Sequence, residues 1–158
     1  ISLETVPLLD FSNVTSAYNL FTNCTLLKNV PALDLRSVTS ASGMFDACKS
    51  LTECWIRNIK TSLQVASGNT YGHLLTVDSL LSLCKECRMT SSNLTLTIGN
   101  PNLNKLASTY VKMIDVTDEM RAEDDLIDEK YPFVVCESTD EGAMLIADYM
   151  TLKKWALK

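Results

Sequence analysis

Leu27-Lys28-Asn29-Val30-Pro31-Ala32-Leu33-Asp34-Leu35 stands between two variants of itself. Leu3 precedes Leu27 by 24 residues and Leu51 follows it by 24, and the neighbours recur at the same interval: Val6, Val30 and Cys54; Asp10, Asp34 and Asn58; Phe11, Leu35 and Ile59. The rest of the unit repeats too, pairing Val14 with Val38, Ala17 with Ala41, Leu20 with Met44, Phe21 with Phe45, and Cys24 with Cys48. Two full units and a half-unit are visible, each burying its apolar edge by stacking on its neighbours. Leu27, Val30 and Ala32 are read as inward, as are Leu3, Val6 and Leu8 before them and Leu51, Cys54 and Ile56 after them. Side chains alternate along a strand, so Thr5 and Pro7, Asn29 and Pro31, and Glu53 and Trp55 face outward. Leu20, Phe21 and Cys24, and likewise Met44, Phe45 and Cys48, have i, i+1, i+4 spacing, which predicts one apolar face of a short helix. The expected fold is α/β, a strand–helix solenoid of 24-residue units over residues 1–60.

A period of about 20–29 residues headed by Leu-x-x-Leu-x-Leu is the signature of a leucine-rich repeat. Asp34, Ser37-Val38-Thr39-Ser40, Met44-Phe45, Cys48 and Leu51-Thr52, with Asp10, Ser12-Asn13-Val14-Thr15-Ser16, Leu20-Phe21 and Cys24 one unit earlier, resemble the BspA-like leucine-rich repeats of bacterial surface proteins and gut phages. The likeness covers residues 1 to about 60. Members often close with a non-repeat cap, and Asp78-Ser79-Leu80-Leu81-Ser82-Leu83 followed by Leu94-Thr95-Leu96-Thr97-Ile98-Gly99 resembles such a segment. The resemblance therefore implies two regions, repeats over 1–60 and a C-terminal α/β cap over 61–158 packed on them. It also implies an adhesin on a bacterial cell surface or a tail-associated protein on a virion, hence an extracellular location.

Within that cap, Thr76 or Asp78 is placed to open a helix running to about Met89. Residues 94–98 alternate like a strand and break at Gly99-Asn100-Pro101, which reads as a turn. Residues 110–116 and 133–137 are further strand candidates, and Ser138 or Thr139 is placed to start a last helix carrying Met144, Leu145, Ala147 and Tyr149 toward Leu152. Trp155 and Leu157 then pack the tail.

With 158 residues and 46% hydrophobic composition the chain can bury a core. No apolar run reaches a membrane span, so no membrane insertion is expected. Opening at Ile1 inside a repeat, without Met, it reads as the C-terminal fragment of a longer protein. Seven acids in residues 117–130 against Arg121 and Lys130 hold the whole net charge of −5, and without a basic stripe nucleic acid is not an expected partner. That run lacks the glycine of a calcium loop.

Cys84-Lys85-Glu86-Cys87 has CxxC spacing, but a tetrahedral zinc site takes four ligands, and Cys54 and Cys136 are isolated while His73 is the only histidine. No metal and no cofactor are expected. Cys24 and Cys48 recur at the repeat period and read as buried thiols packed in a column, with a disulfide between rungs as the alternative. Ser-His-Asp and Cys-His catalysis both need His73, which sits in the loop at residues 68–73 with nothing near it in sequence to orient it, and no phosphate-binding glycine loop appears. A carboxylate pair such as Glu53 with Glu137 would have to meet in a cleft.

The candidate binding site lies on the outward row of the third unit, where Glu53, Trp55 and Arg57 come together beside Asn29. Trp and Arg are the types most enriched at binding hot spots. The competing reading covers Trp55 with the loop at residues 69–73, making its ring part of the core. The chain is thus read as a non-enzymatic module binding a protein or glycan on a host or neighbouring cell. The alternative is a structural terminal domain that caps or oligomerises a fibre without a specific ligand, a homotrimer if it forms a fibre tip.

Overall fold

The 24-residue interval survives as parallel main-chain register. The computed structural model describes residues 2–66, 75–88, 91–115, 117–119, 133–137 and 143–158. Strand β1 (Asn29–Asp34) pairs in parallel with β2 (Glu53–Arg57), Asn29 opposite Glu53 and Val30 opposite Cys54. One unit earlier Thr5 bridges Asn29 in the same sense. Along one edge of the stack the Lys28 amide donates to the Glu4 carbonyl, the Thr52 amide to Lys28 and the Thr76 amide to Thr52. Phe21 and Phe45 stack with ring centroids 5.6 Å apart. The Cys48 thiol, buried like Cys24, donates to the Phe21 carbonyl.

The expected strand–helix solenoid is nevertheless overturned. Among the described residues there are three helices, α1 (Val77–Glu86), α2 (Asn100–Leu106) and α3 (Ile146–Leu152), and none falls in residues 1–60. Among the described residues the sheets have two or three strands, and none is closed or drawn out as a solenoid. The physical reason lies in where the main-chain amides go. Ala17, Asn19, Phe21 and Asn23 donate sideways to the carbonyls of Ser40, Ser42, Met44 and Asp46. The amides between them, from Leu20, Thr22 and Cys24, close turns onto Ala17, Asn19 and Phe21. Asn19, Asn23, Gly43 and Ala47 sit in the left-handed region, with φ between 55° and 66°. One such residue in each turn stops a right-handed helix from propagating.

Gly43 carries a sharp expectation. Its φ of +66° is strained for any L residue, and a Cβ there would run into Asn19 Oδ1. Gly43→Ala is expected to cost about 1–3 kcal/mol, read as a lower urea midpoint with an unchanged slope. A variant as stable as the parent would mean that this turn has another geometry.

A bulge in β1 corrects a second expectation. Pairing slips between Val30 and Leu33, so that Leu33 faces Ile56 and Asp34 faces Arg57. Pro31 sits inside the slip, and proline offers no N–H to the ladder, which favours a bulge there. The extra residue turns Ala32, read as inward, out to solvent, and Leu33 takes its place in the core with no exposed surface. Leu8, also read as inward, is 74% exposed.

Beyond the repeats, α1 packs against β2 and is capped by Thr76, whose hydroxyl accepts the Ser79 amide. Strand β4 (Leu94–Thr97) lies between β3 (Leu63–Gln64) and β8 (Trp155–Leu157), all parallel. Strand β5 (Tyr110–Asp115) lies between β6 (Phe133–Glu137) and β7 (Met144–Leu145), antiparallel to both. The expected turn at Gly99-Asn100-Pro101 instead starts α2, with Gly99 at φ 78° and Pro101 in the first turn, where its missing N–H costs nothing. Met144 and Leu145, expected in the last helix, pair with β5 before α3 begins. Ser138, Thr139, residues 68–73 and most of the acidic run 117–130 lie outside the described residues.

One apolar cluster runs from Val6 to Trp155 and joins the repeats to the later elements. Beside it a lysine is buried. Lys153, 2% exposed, donates to the carbonyls of Cys84 (3.3 Å) and Lys85 (3.0 Å) and to the Tyr149 hydroxyl (2.7 Å). Two of these acceptors sit in the last turn of α1, at the negative end of the helix dipole.

Candidate functional site

Strand alternation on β2 puts Glu53, Trp55 and Arg57 on one face, all half-buried, while Cys54 and Ile56 point into the core. Pairing with β1 sets Asn29 beside Glu53. The structure therefore brings the four candidate residues together on one sheet surface. The Glu53 carboxylate organises them: Oε2 accepts from Asn29 Nδ2 at 2.5 Å and from Trp55 Nε1 at 3.2 Å. With its indole N–H held by Glu53, the ring is fixed in place and keeps part of its surface in contact with solvent. The loop at residues 69–73, read as a cover for Trp55, lies outside the described residues.

Arg57 extends the row toward groups that the sequence did not connect with it. Its Nε lies 3.8 Å from Glu86 Oε1, a partner at the end of α1. Glu86 Oε2 accepts the Asn58 amide at 3.0 Å. Asn58 donates to Asp34 Oδ1 at 2.9 Å and accepts from Arg88 Nη2. Asp34 also takes the Arg36 amide at 2.9 Å and its guanidinium at 2.7 Å. Burial pushes the Asp34 carboxyl upward, but the donors Asn58 and Arg36, with the Arg36 charge, outweigh that and hold it below the usual carboxylate range. No local pattern reports this polar network, because its members come from β1, β2 and the end of α1. The only hint was the 24-residue spacing of Asp10, Asp34 and Asn58.

The row ends at a crevice of about 460 Å³ between the first two units, lined by Leu8, Leu9, Phe11 and Ala32 with Asp10, Asp34 and Arg36. Asp10 Oδ1 accepts the Ser12 amide at 2.9 Å. That bond, helped by the Ser12 hydroxyl, lowers the Asp10 pKa.

The cysteines lie elsewhere. Cys24, Cys48, Cys54, Cys84 and Cys87 are free thiols in the core. Loss of water pushes the Cys48 thiol up to about 11 and Cys84 to about 12, and raises Cys54 and Cys87 well above the ordinary thiol value. Such thiols are poor nucleophiles at neutral pH. Among the described residues no three His, Cys, Asp or Glu side chains converge as a metal site, and no helix is long and apolar enough to cross a membrane. Glu137, the partner imagined for Glu53, lies on β6 in the third sheet, whereas Glu53 belongs to the first.

Set against known protein families, curated proteins and solved structures, the chain matches none.

Proposed function

We propose that this chain is a non-enzymatic interaction module and that the outward face of β1 and β2 is its contact surface, meeting a protein or glycan on another cell. One observation carries the reading: Trp55 is held in place by Glu53 and Asn29, yet remains only half-buried, beside Arg57. A rigid aromatic face with a planar donor fork next to it is the composition of a binding hot spot, and a preset rotamer lowers the entropy lost on contact. The likeness of the units to BspA-like repeats argues for a bacterial surface or a virion as its location.

Trp55→Ala and Arg57→Ala are each expected to lower attachment to host cells, or to a glycan and protein array, by about tenfold or more, the size of a hot-spot truncation. Their melting temperatures should stay near the parent's. A Trp55→Ala protein that melts many degrees lower, with binding lost only in proportion to folded protein, would make Trp55 structural and displace the site.

A second reading, a structural domain that oligomerises without a specific ligand, draws on the apolar edge of the first unit. Tyr18, Leu20 and Leu26 are 62%, 47% and 45% exposed there, whereas Met44, the counterpart of Leu20, is fully buried. Light scattering separates the two readings: a stable trimer at micromolar concentration favours the second, a monomer the first.

A further inference from the structure

We infer that the crevice between the first two units is a receptor for a lysine or arginine side chain of a protein partner. This rests on the reading of the β1–β2 face as a contact surface and narrows its partner from protein or glycan to protein.

The origin of the crevice is local. The first two units are tied together at Thr5 with Asn29, and again where the Ser37 hydroxyl donates to the Ser12 carbonyl. Between those ties, among the described residues, no main-chain hydrogen bond joins residues 6–11 to residues 30–36. Pro31 and the bulge put Ala32 on the outside, and its methyl group is too small to close the gap. Leu8 and Leu9 are left 74% and 40% exposed on the other wall. The resulting volume, about 460 Å³, lies within the usual range for ligand pockets of ~300–1,000 Å³. Asp34, on its wall, faces Arg57 in the register, so the crevice and the Trp55 row form one surface.

Chemistry then selects the occupant. The Arg36 charge is engaged by Asp34 at 2.7 Å, so it does not call for an anion. Among the described residues no cation lies within ion-pair distance of Asp10, whose carboxylate stays ionised with the Ser12 amide behind it. Apolar walls with a carboxylate at the rim suit an aliphatic stem that ends in a cation, which is the form of lysine and arginine. A neutral sugar makes little use of Leu8 and Leu9, and a phosphodiester is repelled by Asp10.

The test uses methyl-labelled protein and two small probes, Nα-acetyl-lysine methylamide and its norleucine analogue, which lacks the ammonium group. The lysine probe should shift the Leu8 and Leu9 methyl signals saturably and bind about two- to fivefold more tightly than norleucine, the scale of one exposed ion pair. Asp10→Asn should erase that preference, and Ala32→Phe, which fills the gap, should remove binding of both probes. Both positions are exposed, so both variants should melt like the parent. Equal binding of the two probes, shifts from neither, or a lysine preference that survives Asp10→Asn would overturn the inference. Any of these alongside loss of array binding in Trp55→Ala would sink the crevice alone, whereas full array binding by Trp55→Ala would sink the contact surface on which it depends.

Discussion

Raising the pH through 10 is expected to remove about 4 kcal/mol of folding stability per pH unit, in reducing buffer and with the structure otherwise unchanged. Four buried thiols drive this loss. Burial pushes Cys48 to about 11 and Cys84 to about 12, and raises Cys54 and Cys87 well above the ordinary thiol value near 9. Burial acts the opposite way on Lys153, lowering it from 10.5 to about 8. Near pH 10 the unfolded chain has released the four thiol protons but still holds most of the Lys153 proton. The folded chain keeps the four thiol protons and has released that of Lys153. Over these five groups the folded state therefore binds about three more protons, and each is worth about 1.4 kcal/mol per pH unit. Stability falls as pH rises wherever the folded state binds more protons. Below pH 9 the balance changes, because the depressed Lys153 alone contributes stability that grows as pH rises from about 8 toward 10.5. The two trends should offset each other between pH 7.5 and 8.5, giving a shallow maximum. Urea titrations from pH 7.5 to 10.5 read this directly, and Lys153→Met should steepen the alkaline loss by removing the one opposing proton. A curve that stays flat to pH 10.5 would mean that the thiols are not buried as described.

Phe45→Ala is the second large effect, expected at about 3–5 kcal/mol. Phe45 is 2% exposed and stacks on Phe21 at an interplanar angle of 20°, between Met44 and Cys48, both buried. Truncation leaves a cavity at a site that is almost fully closed to solvent. Phe21→Ala should cost less, because Phe21 lies next to the open edge at Tyr18 and Leu20, where the surroundings can collapse. The double variant should show a coupling of about 0.5–1.5 kcal/mol, the usual size for an aromatic pair. Chemical denaturation of the four proteins measures all three values. A Phe45→Ala protein within about 1 kcal/mol of the parent would be incompatible with that stacked column.

The 24-residue spacing made Val30, Leu51, Cys54, Phe21 and Phe45 legible as core, because residues that repeat at one interval meet the same neighbours. It also made Asn29, Glu53, Trp55 and Arg57 legible as one surface, since strand alternation is a local rule. The short helices were misread for a reason that periodicity does not report. Leu20, Phe21 and Cys24 fit a helical face, but the left-handed residues Asn19 and Asn23, and the sideways bonds to Ser42, Met44 and Asp46, spend the backbone on the neighbouring unit. Ala32 was misplaced by the slip at Pro31, since one extra residue reverses the facing of every later position in the strand. Leu8 was misplaced where the main-chain ties between the first two units lapse. Gly99-Asn100-Pro101 carries the signals of a turn and those of a helix start together, and the second prevailed. Glu86, which joins the Arg57 and Asn58 network from the end of α1, was beyond any local pattern.

The contact surface on β1 and β2 is tested most directly by hydroxyl-radical footprinting of the protein alone and bound to its strongest array binder. Two tryptophans make the comparison internal. Trp55 is half-buried on that surface, whereas Trp155 is 2% exposed and donates its indole N–H to the Arg88 carbonyl at 2.7 Å. Binding should suppress oxidation of Trp55 severalfold and leave Trp155 at its low level in both states. Oxidation of Trp55 that is unchanged while the binder is bound would place the contact elsewhere and contradict the proposed function.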